Sequence, residues 1–244
     1  PKVSSLPLLN TVAQRAELLA SLQLDGLILE RFTRVFAAKS AAQFFNTILV
    51  KRLKAKHLFV GMDFTFGVGR SGTVSTLKDL CREKKIGLTV VSAVLKKGLR
   101  ISSTAVREAL KKGDLKKVNT LLGRPYFIDG LVVRGQGRGK RLTVRTANLR
   151  VSNELIPKTG VYATKSRVAG KSFRSVTNIG YNPTFGGKKL SIETHFLDGT
   201  RDLYGKTIRL YFFDRLRGEK KFSGPEALKN QIQRDIQKAK RILA

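Results

Sequence analysis

Three stretches of this chain gather residue types that can handle a phosphate, a metal ion or a proton. In the first, Gly135, Gly137 and Gly139 alternate with Gln136, Arg138 and Lys140. Glycines at alternate positions let backbone N–H groups converge on an anion, and the neighbouring cations add charge. The same composition also suits a hairpin tip. Just beyond, Thr146 and Asn148 offer a hydroxyl and an amide carbonyl, hard oxygen donors suited to Mg²⁺ beside phosphates. The second stretch, 178–187, begins at Asn178 and contains Pro183 and two glycines at its end, so it also reads as a structured loop. In the third, 190–197, strand alternation puts Glu193 and His195 on one face and Ile192, Thr194 and Phe196 on the other. A carboxylate so placed could deprotonate a substrate hydroxyl; an exposed Glu paired to a Lys is the alternative.

The elements that must position these groups differ between the two halves. Helical periodicity covers 11–22, 41–53, 73–84 and 103–112, and short apolar runs at 26–29, 57–61 and 87–91 read as strands. Alternating helix and strand predicts an α/β domain with a parallel sheet over 1–122. From residue 123 the runs 126–134, 160–167, 173–179, 190–197 and 207–213 are rich in β-branched and aromatic residues and are separated by Gly, Pro and Asn. That is the pattern of a small antiparallel β-barrel. A closing helix is expected, with Ser223 and Glu226 as a capping box and Leu228, Ile232 and Ile236 as its core stripe.

Composition bounds the setting. The 48 Lys and Arg outnumber the 17 Asp and Glu to give a formal net charge of +31. The excess is not a tail, because 22 of the basic and 8 of the acidic residues fall in 1–122 and the remainder in 123–244. Such self-repulsion weakens a compact state unless a polyanion neutralises it, so ribosomal or other RNA is an expected partner. Lys140, Arg141 and Arg145 are the candidate nucleic-acid contacts beside the glycine-rich stretch. With no Trp and five Tyr, any RNA contact should be dominated by phosphates rather than bases. The single cysteine, Cys81, rules out an intramolecular disulfide and reads as a small buried hydrophobe. No apolar run approaches the roughly 20 residues needed to span a bilayer, and the first twenty residues are too polar for a secretory signal. The cytosol or an organelle matrix (mitochondrion or plastid) is the expected location. Pro1 could follow removal of an initiator Met, cleavage of a presequence, or a missing segment.

Taken in order, several motifs resemble one family. Thr146-Ala-Asn148, Asn178-Ile-Gly-Tyr-Asn-Pro-Thr-Phe185, Ile192-Glu-Thr-His195, Asp202-Leu-Tyr-Gly205 and Arg215-Leu-Arg217 with Lys221-Phe222 are similar to the riboflavin kinase half of the bacterial bifunctional riboflavin kinase/FMN adenylyltransferase (FAD synthetase) family. The stretch from Val60 to Gly72, Ile101–Arg107 and the junction Leu122-Gly-Arg-Pro-Tyr126 resemble the rest of it. The resemblance implies ATP- and Mg²⁺-dependent phosphorylation of riboflavin to FMN. It implies that Thr146 and Asn148 hold Mg²⁺ and the phosphates with Gly135, Gly137 and Gly139, and that Glu193 is the base. Arg215 and the segment to Phe222 would lie near the flavin side, and Asn178 is a further candidate cofactor-binding residue.

Three departures carry expectations of their own. The family's His-x-Gly-His turn has no counterpart, since the only histidines are His57 and His195. Unless residues precede Pro1, FAD synthesis by the family mechanism is not expected. Where the family reads Gly-Phe-Pro, this chain reads Thr143-Val144-Arg145, and the family's acidic stretch before Asp202 reads Gly199-Thr-Arg201. Both changes lean toward basic residues and set a second expectation beside the kinase, that of a family member repurposed as an RNA- or ribosome-associated protein.

Overall fold

The computed structural model describes residues 6–96, 98–134, 146–184, 187–199 and 203–244, with the backbone alone at 182–184 and 187–189. It forms two compact units, Gln23–Arg100 and Pro1–Leu22 with Ile101–Ala244. This division does not follow the 122/123 boundary expected from the change of pattern. Val106, Leu110, Leu115, Val118 and Leu121, which precede that boundary, are buried in one cluster with barrel residues such as Tyr126, Ile128 and Phe212.

Helix α1 (Val12–Ala20) belongs to the barrel-containing unit. A capping box starts it: the Thr11 hydroxyl accepts from the Gln14 N–H, and the Gln14 side chain accepts from the Thr11 N–H. The Gln23–Arg100 unit begins with α2 (Arg34–Ala37) and α3 (Ala41–Phe44), the latter continuing in wider π-helical turns to Arg52. Strand β1 (His57–Gly61), helix α4 (Val74–Glu83) and strand β2 (Gly87–Val91) then make a β–α–β unit, with β1 and β2 parallel from His57↔Gly87 to Gly61↔Val91. Two-residue strands β3 (Leu95–Lys96) and β4 (Leu99–Arg100) end the unit. Its core is Phe45, Phe66, Leu77 and Cys81. Burial pushes the Cys81 thiol pKa up, so it sits as an inert hydrophobe. The strand expected at 26–29 does not form. Those residues are exposed and have no strand partner among the described residues, and a lone strand has nothing to satisfy its backbone groups.

The larger unit continues with α5 (Ser103–Lys112) and α6 (Leu115–Leu122). Six strands follow: β5 (Tyr126–Val133), β6 (Ala147–Val151), β7 (Gly160–Val168), β8 (Lys171–Thr184), β9 (Gly187–Phe196) and β10 (Thr207–Arg217). They close into an antiparallel barrel in the order β10-β5-β6-β9-β8-β7. Helix α7 (Pro225–Ile242) packs outside it, its Ala239 clustering with Val161, Ala163 and Leu216. Inside, Ile128, Tyr162, Ile179, Ile192, Ile208, Leu210 and Phe212 form the apolar core. Five hydroxyls share the interior of β7, β8 and β9. Thr164 meets Ser175 and Thr177 at 2.8 Å each, Ser166 meets Ser175 at 2.7 Å, and Thr177 meets Thr194 at 2.9 Å. A hydroxyl can donate and accept at once, so this chain satisfies its buried polar atoms without water.

Three boundaries differ from the sequence expectation. Residues 147–151 form a strand although their composition did not announce one, because β5 and β9 flank and pair them. Residues 178–184 extend β8 instead of forming a loop. The capping box at Ser223 and Glu226 does not form: Pro225 occupies the first helical turn, Gly224 is the cap residue, and it makes no side-chain cap bond.

Helix α1 is tied to the barrel by a polar network. Gln14, fully buried, donates to Asp129 at 2.9 Å and exchanges bonds with Asn153, while Arg209 bridges Asp129 and Glu17 in two bidentate contacts. The Arg209 hydrogen bond holds the Glu17 carboxyl below its ordinary pKa. A depressed carboxylate stabilises the fold above its unfolded pKa and loses that contribution as pH falls through the folded value. Glu17 is half exposed, so the contribution is small, about 0.5 kcal/mol. Urea unfolding of the wild type and Glu17→Gln should therefore differ at pH 6 and converge by about pH 3. A difference that persists at pH 3 would assign the effect to packing instead.

Candidate active site

Strand register assembles the site. Asn148 on β6 pairs with Glu193 on β9, and Glu193 pairs with Asn178 on β8. The period of two along a strand sends Ile192, Thr194 and Phe196 into the barrel, so Glu193 projects outward with Asn148 and Asn178 beside it. Thr146, just before β6, places its Oγ1 3.5 Å from Glu193 Oε2, and the Ser191 hydroxyl donates to Glu193 Oε1 at 3.0 Å. Glu193 is half-buried, and no Lys or Arg pairs with it among the described residues.

Thr146, Asn178 and Glu193 line one side of a cavity of about 400 Å³. His195 and Asn178 stand beside Glu193 and Thr146, with Val161 and Val176 beneath, while Phe222, Leu228, Ile232 and Ile236 supply an apolar opposite wall. A polar end and an apolar wall suit a ligand with a flat hydrophobic body and a hydroxyl-bearing tail. Arg217 and Asp235 hold that wall. Arg217 Nε donates to Asp235 Oδ2 at 2.9 Å, Gln231 Nε2 donates to Asp235 Oδ1 at 2.9 Å, and the Arg217 guanidinium lies 5.5 Å from the centre of the Phe222 ring. One arginine therefore connects the end of β10, helix α7 and the aromatic side chain. The segment after β10 also closes over β8. There the Tyr181 N–H donates to Glu219 Oε1 at 3.4 Å.

Of the residues singled out in the sequence, Thr146, Asn178, Glu193 and Phe222 line this cavity, and Asn148 is held beside Glu193 by register. Arg215 is elsewhere. Its Nη2 donates to the Thr159 carbonyl at 2.6 Å, and its side chain packs against Gly113 and Gly160 near Tyr162, whose pKa burial pushes up to about 12. The Arg215 Nε is buried without a partner among the described residues. A break in the β10–β7 register between Arg215 and Arg217 explains why two arginines of the same parity diverge. Gly135, Gly137, Gly139, Lys140, Arg141 and Arg145 lie outside the described residues.

Arg217 and Asp235 were missed in the sequence as a functional pair. A signal existed: Asp235 falls on the helix stripe with Leu228, Ile232 and Ala239, where a core-facing position carries an acid. As for a metal, the donors gathered here are a hydroxyl, an amide and one carboxylate. No group of three or more His, Cys, Asp or Glu side chains suited to a metal occurs among the described residues. A hard cation that arrives with phosphates and keeps several waters, as Mg²⁺ does, fits such a set.

The barrel and α7 coincide with the region, 122–243, that matches the family profile described as riboflavin kinase, and residues 2–105 match the one described as FAD synthetase. The family profile places the barrel unit in the riboflavin kinase class of phosphotransferases. Across the whole chain, the bifunctional riboflavin kinase/FMN adenylyltransferase of Bacillus subtilis is 37% identical over 243 residues, covering 98% of this chain and 75% of that protein. The Escherichia coli protein of the same description is 38% identical over 228 residues, covering 93% and 73%. A crystal structure described as a macrolide-efflux protein from Streptococcus pneumoniae superposes with a TM-score of 0.87 at 30% identity, over 95% of this chain and 75% of that one. The chain belongs to the bifunctional riboflavin kinase/FMN adenylyltransferase family. No helix among the described residues is long and apolar enough to cross a membrane.

The Arg217–Asp235 pair is mostly buried, so removing one partner strands the other. Asp235→Ala should cost roughly 2 kcal/mol in urea unfolding, below the usual figure for a fully buried pair because a fifth of the Arg217 side chain is exposed. Asp235→Asn, which keeps an acceptor oxygen, should cost less. Equal stability of all three proteins would show that the pair does not hold α7.

Proposed function

We propose that the barrel unit transfers the γ-phosphoryl group of ATP to the 5′-hydroxyl of riboflavin, producing FMN. The observation that supports this reading is the row Asn148, Glu193, Asn178: Glu193 and Asn178 line one cavity, Asn148 stands beside Glu193 by register, and no Lys or Arg pairs with that carboxylate among the described residues. Phosphoryl transfer asks for little covalent chemistry from the protein; it needs the acceptor hydroxyl positioned and charge neutralised. Glu193 takes the proton of the attacking hydroxyl, and the Thr146 and Ser191 hydroxyls orient its two oxygens. Asn178 holds the ribityl chain by its amide, and Phe222 with Leu228, Ile232 and Ile236 receives the flavin ring system. Mg²⁺, when bound, neutralises phosphate charge, and Thr146 and Asn148 are the residues that would hold it. The glycine-rich stretch with Gly135, Gly137 and Gly139 is the sequence's candidate for the phosphates. Arg215 acts at a distance from the cavity, anchoring the end of β10 to Thr159.

The test is direct. With riboflavin, ATP and Mg²⁺ the protein should form FMN, detected chromatographically. Glu193→Gln should lower kcat about 10²- to 10⁴-fold while flavin binding, read by fluorescence quenching, persists. A wild type that makes no FMN, or a Glu193→Gln protein of undiminished kcat, overturns the assignment.

A further inference from the structure

Riboflavin phosphorylation does not account for the charge of the Gln23–Arg100 unit. That unit holds 15 Lys and Arg against 5 Asp and Glu, and four of the five acids are already taken by ion pairs: Glu30 with Arg52, Asp63 with Arg100, Asp79 with Arg82 and Glu83 with Lys84. Because β1 and β2 are parallel, the segments that enter them lie side by side, and the Gly87 N–H donates to the Lys56 carbonyl at 3.0 Å. The segment entering β1 carries Lys51, Arg52, Lys54 and Lys56; the turn entering β2 carries Arg82, Lys84 and Lys85. All seven are exposed. Lys51, Lys54, Lys56 and Lys85 have no carboxylate within ion-pair distance among the described residues. Lys54 and Lys85 even occupy left-handed backbone positions, at φ 49° and 55°, where Gly or Asn is the cheaper choice.

Ligands of a parallel α/β sheet bind at the carboxyl ends of its strands. This cationic rim stands at the opposite ends, so it is not the crevice in which such a sheet would hold a nucleotide. We propose that the rim binds the phosphate backbone of RNA without reading its bases. Clustered lysines on two adjoining turns match closely spaced phosphates, and releasing counterions supplies the affinity. An anionic bilayer is the poorer fit, since membrane-surface binding uses an amphipathic helix with a broad apolar face. Within the rim, Leu53 is the one exposed large hydrophobe.

The experiment uses the full chain with fluorescein-labelled U20 and A20 RNA, measured by anisotropy from 50 to 400 mM KCl. Alongside runs a sedimentation arm with vesicles containing 30% phosphatidylserine. The two RNAs should bind alike. The variant Lys51→Ser/Lys54→Ser/Lys56→Ser/Lys85→Ser should bind at least tenfold more weakly at 100 mM salt, with a log–log salt slope shallower by about 2 to 3. Thermal melting checks that it is folded. A second variant, Lys111→Ser/Lys112→Ser/Lys116→Ser/Lys117→Ser in the other unit, should lose much less. Unchanged affinity in the folded rim variant, an equal loss in the second variant, strong preference for one RNA sequence, or tighter binding to vesicles than to RNA each overturns the proposal.

Discussion

In a closed antiparallel barrel every strand residue has one of two destinations, the packed interior or the outer surface, and a shift of one residue exchanges them all. The site depends on that constraint. The interior positions of β7, β8 and β9 are taken by Tyr162, Thr164, Ser166, Ser175, Thr177, Ile179, Ile192 and Thr194, all essentially inaccessible to solvent. Their hydroxyls are bonded to one another across neighbouring strands, so a slipped register would bury unpaired hydroxyls and a carboxylate together. With the interior so determined, Asn178 and Glu193 have only the outer face left, and β6 brings Asn148 to the same row.

A row of polar groups on a barrel exterior is not yet a site, and α7 makes it one. Its apolar stripe faces the barrel across the cavity, and the buried Arg217–Asp235 pair fixes the two together. An ion pair in such a position adds little net stability compared with well-packed hydrophobes, but it is directional. Here it orients Arg217, Phe222 and the helix with respect to one another, which apolar contacts alone would do less sharply. The polar network around Arg209 and Gln14 does the corresponding work for α1 on another part of the barrel.

Much of this was legible in the chain. Glu193, Thr146 and Asn148 stood out because their types suit proton and metal chemistry and because alternation separates Glu193 from its apolar neighbours. The barrel was legible from five β-rich runs. The sixth strand, 147–151, was not, because its residues are polar or charged on the outside and gain strand character only by pairing with β5 and β9. The supposed strand at 26–29 failed for the converse reason: four apolar residues suffice for a pattern but not for a partner. The segment from Arg215 to Phe222 was expected near the flavin with Arg215 singled out, since alternation alone treats Arg215 and Arg217 as equivalent. The irregular pairing between them distinguishes the two, and it depends on how β10 meets β7.

The sequence by itself determined the class of fold, the chemistry of the candidate carboxylate and its oxygen-donor neighbours, and the charge that any partner must meet. Those are properties of residue type and local period. Tertiary structure alone decided which groups share a cavity, that Asp235 closes a pair with a residue 18 positions away, and that seven cations from two separate segments form one rim. The physical reason is the same in each case. Strand pairing and helix docking join residues distant in the chain, and no local pattern encodes which distant residue will arrive.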